Sequence, residues 1–265
     1  MQKENKIYRC ENNHCFDEAK QGYVNLLQSQ KSSKKRHGDD TLMVKARADY
    51  LEKGYYSCLL DGITEMLSRY LKPEMAVADL GCGEGWYTAQ ISSFLKENGT
   101  GAEICGIDIS KHALIYAAKR CPDLHLAVAS TADLPLHDNS CDAVISVFAP
   151  CSESGIRRVL KKDGVWIKAV PLERHLMGLK SVIYDKPYEN VVNRAAPDGF
   201  VTENYKEIKK EITILGEDIQ NLFRMTPYYY KTGIEDQKKI NEMQLLCTEI
   251  EFGIYAYRTM LLYKM

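Results

Sequence analysis

A chain of 265 residues, 45% hydrophobic and 27% charged with a formal net charge of −1, has the composition of a folded globular protein and excludes disordered and collagen-like classes. No apolar run reaches the roughly 18 residues of a membrane helix, and the polar start Met1–Arg9 lacks an apolar signal core, so the cytoplasm is the expected location and no membrane partner is expected. The nine cysteines are odd in number and scattered, which reads as reduced thiols rather than a disulfide framework.

In chain order, residues 1–28 carry cysteine, histidine and the apolar residues Phe16, Tyr23, Val24, Leu26 and Leu27, which predict a small folded appendage. Residues 29–40 are Gln, Ser, Lys, Gly and Asp, an exposed linker whose Lys31, Lys34, Lys35, Arg36 and His37 form a basic cluster; a solvated linker and a polyanion contact both account for it. Residues 41–265 then form one large domain. Helical spacing of Leu51, Leu59, Leu60, Ile63, Met66, Leu67 and Leu71 predicts two helices separated near Gly54. After Pro73, strands near 76–80, 103–109, 124–129, 143–148 and 165–170 alternate with helices near 86–96, 111–121 and 153–160. Such alternation predicts an α/β fold of parallel βαβ units, a mixed, mostly parallel sheet with helices on both faces. Extended stretches at 208–215 and 252–263 would supply antiparallel edge strands.

Between the first of these strands and its helix lies Asp79-Leu80-Gly81-Cys82-Gly83-Glu84-Gly85. Glycines there permit a tight turn and let the backbone approach a ligand at the carboxyl end of the strand. Their G-x-G-x-G spacing differs from the G-x-G-x-x-G of nicotinamide-binding loops, and it resembles motif I of class I (Rossmann-like) S-adenosylmethionine-dependent methyltransferases. Asp108 ends the second strand, 23 residues beyond Gly85, where a carboxylate can accept from both hydroxyls of a ribose; Ser110 is the better cap for the following helix. Ala132-Asp133-Leu134-Pro135-Leu136, Cys141-Asp142-Ala143-Val144-Ile145 and Arg158–Gly164 follow in the order typical of that superfamily.

The segment Phe16-Asp17-Glu18-Ala19-Lys20-Gln21-Gly22-Tyr23-Val24-Asn25-Leu26-Leu27 resembles the N-terminal signature of bacterial 23S ribosomal RNA (guanine-N1)-methyltransferases, and the resemblance recurs at Ala149-Pro150-Cys151, Arg174-His175-Leu176-Met177 with Leu179-Lys180, and Met225-Thr226-Pro227. It implies a zinc ribbon that helps hold 23S ribosomal RNA, joined to a domain that methylates N1 of a guanine in a domain II hairpin, with a homodimer as the assembly. By position in the family motif, Gly83, Glu84 and Gly85 would lie along the cofactor together with Asp79 and Gly81, Tyr56 would cover it, Asp108 would hold its ribose and His175 would reach it from the far side.

The chain departs from that pattern twice. The family's ribbon closes zinc with Cys-x-x-Cys and Cys-x-x-x-His, whereas this sequence has only Cys10 and His14, and four ligands are needed. A reading frame that starts upstream is one expectation that would supply the other pair. Gly178 stands where the family usually carries glutamate. No general base is assigned: Asp133, Glu173 and His175 are candidates by position alone, Cys151 reads as a packing thiol, and Tyr228, Tyr229 and Tyr230 fit base stacking and core packing equally. Two other functions stay open, a small-molecule methyltransferase that has lost RNA binding and a non-catalytic factor that binds the cofactor or RNA.

Overall fold

The computed structural model describes residues 2–4, 6–27 and 38–260. The basic cluster Lys31, Lys34, Lys35, Arg36 and His37 lies outside the described residues. Three short strands, β1 (Gln2–Glu4), β2 (Ile7–Arg9) and β3 (Cys15–Asp17), form a small antiparallel sheet, and β4 (Tyr23–Asn25) follows it. Two helices, α1 (Thr41–Glu52) and α2 (Ser57–Ser68), flank a turn at Gly54, whose φ of 76° is in the left-handed region.

The alternating part runs β5 (Ala76–Leu80), α3 (Trp86–Glu97), β6 (Glu103–Asp108), α4 (Lys111–Arg120), β7 (His125–Val128), β8 (Cys141–Val147), α5 (Glu153–Val159) and β9 (Leu160–Pro171). Then come α6 (Met177–Ile183), β10 (Phe200–Leu215), α7 (Glu217–Arg224), α8 (Ile234–Glu242) and β11 (Leu245–Thr259). The helix starts are chemically marked: Asp40 accepts from the amide of Met43 at 3.0 Å, Ser110 from Ala113 at 3.3 Å and Ser152 from Gly155 at 3.1 Å, each an N-cap.

The large sheet has the order β10-β11-β9-β8-β5-β6-β7-β4. From β9 to β4 every neighbouring pair is parallel, and β11 and β10 add an antiparallel edge. Strand order reverses direction between β5 and β8, the switch point where open α/β sheets leave a crevice at their carboxyl ends. The strands β10 and β11 begin well before the stretches expected from sequence, because each is completed by the other over a pairing from Phe200↔Thr259 to Leu215↔Leu245 rather than by its own apolar pattern. Residues 23–25 belong to the large sheet: β4 pairs with β7, burying Tyr23 and Val24.

Alternating strand residues feed two cores. Val77, Ala143, Ile145, Val165 and Ile167 point to the face covered by α2, α3, α4, α6 and α7, while Ala78, Leu80, Val144 and Trp166 point to the face covered by α5. Each strand is therefore apolar on both sides, as a central parallel strand must be.

Candidate active site

The carboxyl ends of β5, β6, β8 and β9 border one cavity of about 850 Å³. Tyr56, Asp79, Gly81, Gly83, Glu84, Asp108 and His175 all line it, so residues spread over 119 positions of sequence meet there.

On one side lies the glycine loop. Gly81, Gly83 and Gly85 have φ of 75°, 57° and 80°, a backbone that side chains rarely adopt. Two of them also meet close neighbours: a Cβ on Gly81 would stand 2.3 Å from that of Ala149, and one on Gly85 would stand 2.7 Å from that of Ala117 in α4. Gly85 thus packs the helices rather than lining the cavity, whereas Gly83 lines it, and a Cβ there would stand 3.7 Å from Arg47 Nη1, an ordinary contact. The amide of Gly83 donates to Asp108 Oδ2 at 2.9 Å, and that of Ser110 to Oδ1 at 2.7 Å. Burial pushes the Asp108 carboxyl above its ordinary range against these two amides, which favour the anion. Asp79, held by the hydroxyl of Thr88 at 2.6 Å, is pushed up to about 7 by burial.

Arg47 of α1 enters the same side. Burial works against its charge, but Asp39, Glu84 and Asp108 surround it and together hold the guanidinium in its charged form. It pairs with Asp39 and donates to the Met225 carbonyl at 3.4 Å, which ties α1 to the segment 225–228 on the rim.

The opposite side is aromatic. Tyr56, the N-cap residue of α2, is buried edge-on against Phe252 at 5.0 Å, with its hydroxyl 3.3 Å from His175 Nε2. The backbone amide of Glu251 donates to His175 Nδ1 at 3.2 Å. Nδ1 is therefore the unprotonated nitrogen and Nε2–H the donor to Tyr56. Burial first, and then the charge of Lys180, lower the His175 pKa to about 3, so the ring is neutral. Lys180 itself is fully buried, donating to the Tyr188 carbonyl at 3.0 Å and Asn190 Oδ1 at 2.7 Å, with its ammonium over the ring of Tyr228 at 5.8 Å.

None of the three residues considered as a general base is free to act in this arrangement. Both His175 nitrogens are engaged. Glu173 is held down to about 2 by its hydrogen bond from Arg194, and neither it nor the exposed Asp133 lines the cavity. Cys151 is a protonated thiol, pushed up to about 12 by burial. Gly178 also has a geometric reason: a Cβ there would fall 2.2 Å from the Cys247 carbonyl oxygen, and its amide donates to the Glu249 carboxylate of β11 at 3.3 Å.

Cys10 Sγ and His14 Nδ1 lie 3.4 Å apart at the end of the β2–β3 turn. Among the described residues no group of three or more His, Cys, Asp or Glu side chains could hold a metal ion, so the donors present there do not fit a closed zinc site.

Residues 77–164 match a family model described as a methyltransferase domain, and residues 1–35 match a zinc-ribbon model described as RlmA, N-terminal. Over 241 residues the chain is 32% identical to YxjB of Bacillus subtilis (strain 168), a candidate 23S rRNA (guanine-N1)-methyltransferase, with 88% of this chain and 84% of that protein covered. The chain belongs to the 23S rRNA (guanine-N1)-methyltransferase family. A further family relative, the 23S rRNA (guanine(748)-N1)-methyltransferase of Streptomyces fradiae, is 36% identical over 183 residues, covering 68% of this chain and 62% of that protein, under two thirds of its length. Among solved structures, an S-adenosylmethionine-dependent methyltransferase from Aquifex aeolicus has 16% identity and a TM-score of 0.45, covering 83% of this chain and 99% of that one.

For this family member the sheet is that of a class I S-adenosylmethionine-dependent methyltransferase. The cavity fits that cofactor on two observations. Gly83 leaves a side-chain-free cradle on its wall, and the Tyr87 hydroxyl, buried among the lining residues, has no hydrogen-bond partner among the described residues. Sequence reasoning missed Arg47, Phe148 and Asn190, which also line the cavity. No local pattern marks them: Arg47 sits on a helix with no clear apolar stripe, and Phe148 reads as the last residue of a buried strand.

Proposed function

We propose that the protein transfers the methyl group of S-adenosylmethionine to N1 of a guanine in a domain II hairpin of 23S ribosomal RNA. The observation that carries this reading is that one cavity joins the glycine-loop side to an aromatic side open at its rim, in a chain related along most of its length to YxjB. In this reading Asp108 holds the ribose, and Asp79, Gly81, Gly83, Glu84 and Gly85 shape the loop along the cofactor. Arg47 is the cation available to its carboxylate, and Tyr56 and His175 close the far side. When bound, the cofactor supplies a methyl group activated on a sulfonium.

The protein's own task is then alignment and exclusion of water. Guanine N1 bears a proton and is paired within a duplex, so the base must leave its stack to enter the cavity. The neutral His175 orients Tyr56 rather than accepting that proton, and we assign its removal to solvent at the open rim.

Residues 1–28, of which β4 joins the large sheet, the linker 29–40 with Lys31, Lys34, Lys35 and Arg36, and the domain 41–265 are proposed as an RNA-holding module anchored on the catalytic domain through β4, a phosphate-contacting strap and the catalytic unit of a cytoplasmic homodimer. In the described residues no helix is long and apolar enough to cross a membrane. The half ligand pair Cys10 and His14 favours a second reading, methyl transfer to a small molecule by a protein that has lost its grip on RNA.

Transfer of labelled methyl to the isolated hairpin, with the product nucleoside placed by mass spectrometry, separates the two. Guanine-N1 methylation is the expected result. Cofactor binding with no transfer to RNA would move the assignment to the small-molecule reading.

A further inference from the structure

Phe148 is the first residue beyond β8, and its φ of 57° lies in the left-handed region. For a bulky aromatic this conformation costs on the order of 1–2 kcal/mol and persists only where the surroundings impose it. They do so here from both sides. The Phe148 amide donates to the Ala169 carbonyl at 3.1 Å, continuing the pairing with β9, and the next residue, Ala149, rests directly on Gly81 of the glycine loop. The strand exit is thereby clamped against the loop, with the aromatic ring turned into the cavity.

The ring stands with centroids 5.7 Å from Phe252 and 6.3 Å from His175, so one part of it is packed. Yet it stays 42% exposed, while Tyr56 is 3% and Phe252 0% exposed in the same aromatic wall. A strained backbone that leaves a large apolar ring half open on a cavity wall is not explained by core packing, since burying the ring would be worth more. We propose that Phe148 is the stacking surface for the acceptor base, a purine taken out of an RNA hairpin and laid against the ring beside the glycine loop. This rests on the RNA reading above and adds the subsite that reading lacks. Stacking of a base on an aromatic face is worth about 1–3 kcal/mol, and it helps offset the loss of stacking in the duplex.

The test compares wild type with Phe148→Ala, Phe148→Gly and Phe148→Trp for cofactor affinity by calorimetry, melting midpoint, and kcat/KM on the domain II hairpin. Expected are an unchanged cofactor Kd in all four proteins and a loss in kcat/KM of roughly 10- to 100-fold for Phe148→Ala and Phe148→Gly. Phe148→Trp should restore activity to within a few-fold of wild type. The melting midpoint of Phe148→Gly should not fall, because glycine adopts the left-handed backbone without strain.

An active wild type with an equally active Phe148→Ala would overturn the stacking role alone. So would a cofactor Kd that weakens in step with kcat/KM, which would make the ring part of the cofactor site or of the fold. A wild type that binds cofactor and leaves the hairpin unmethylated would overturn the RNA reading, and this subsite with it.

Discussion

The two sides of the cavity are built by different means. The glycine-loop side is made mainly by one short segment, a strand end and three left-handed glycines, whose loop amide is held by a carboxylate on the neighbouring strand across one parallel pairing. The aromatic side is made by distant residues. His175 is oriented by the amide of Glu251, 76 residues away, and contacts Tyr56 across 119 residues. One side is specified by backbone conformation and the other by which strands pair. A substitution on the first should strike cofactor binding, and one at the acceptor end of the second, at Phe148 or Lys180, should strike transfer while sparing it.

The largest effect is expected on the loop side. Asp108→Ala removes a carboxylate that organises the amides of Gly83 and Ser110 and is assigned to the ribose. Charged hydrogen bonds are worth about 1.5–3 kcal/mol each, so cofactor affinity measured by calorimetry should fall roughly 100-fold or more. An affinity within a few-fold of wild type would erase the distinction between the two sides.

A smaller effect, confined to the acceptor step, is expected for Lys180→Met. Lys180 is a positioning residue that holds Asn190 on the rim and keeps a positive charge over Tyr228. Its loss should lower kcat on RNA about tenfold, the scale of one partly screened charge, and leave the cofactor Kd unchanged. A charge that eases loss of the guanine proton predicts in addition that the pH–rate profile moves to higher pH. An unshifted profile would reduce Lys180 to a packing role.

The remaining effect is on folding stability rather than on binding or turnover, and it sets the two sides against each other. His175 has a folded pKa of about 3, below the ordinary value of 6.5, so between these values only the unfolded chain takes up its proton. The stability it contributes is complete above about pH 6.5 and is lost as pH falls toward 3. Asp79, raised from 3.8 to about 7, behaves oppositely: its contribution is present below 3.8 and is lost as pH rises through 7. From pH 4 to 6.5 the two slopes, each about 1.4 kcal/mol per pH unit at most, oppose one another. Cofactor-free His175→Gln should therefore lose stability more steeply than wild type as pH rises across that window, a difference that denaturant titration at several pH values reads directly. Parallel pH profiles would mean that His175 titrates normally.

Sequence by itself determined the alternation of strands and helices, the loop Asp79–Gly85, Asp108 at the end of its strand and the Ser110 N-cap, because each rests on a local pattern: apolar spacing, glycine's freedom at positive φ, and a hydroxyl within reach of its own helix amides. It also carried the family resemblance, which brought in Tyr56 and His175. Tertiary structure alone decided that β4 leaves the small sheet to pair with β7, that Arg47 reaches the loop, that Phe148 is half open on the cavity, and that His175 is a neutral donor. These outcomes depend on long-range pairing and burial, which set a side chain's partners and charge without leaving a mark on the residues beside it in the chain.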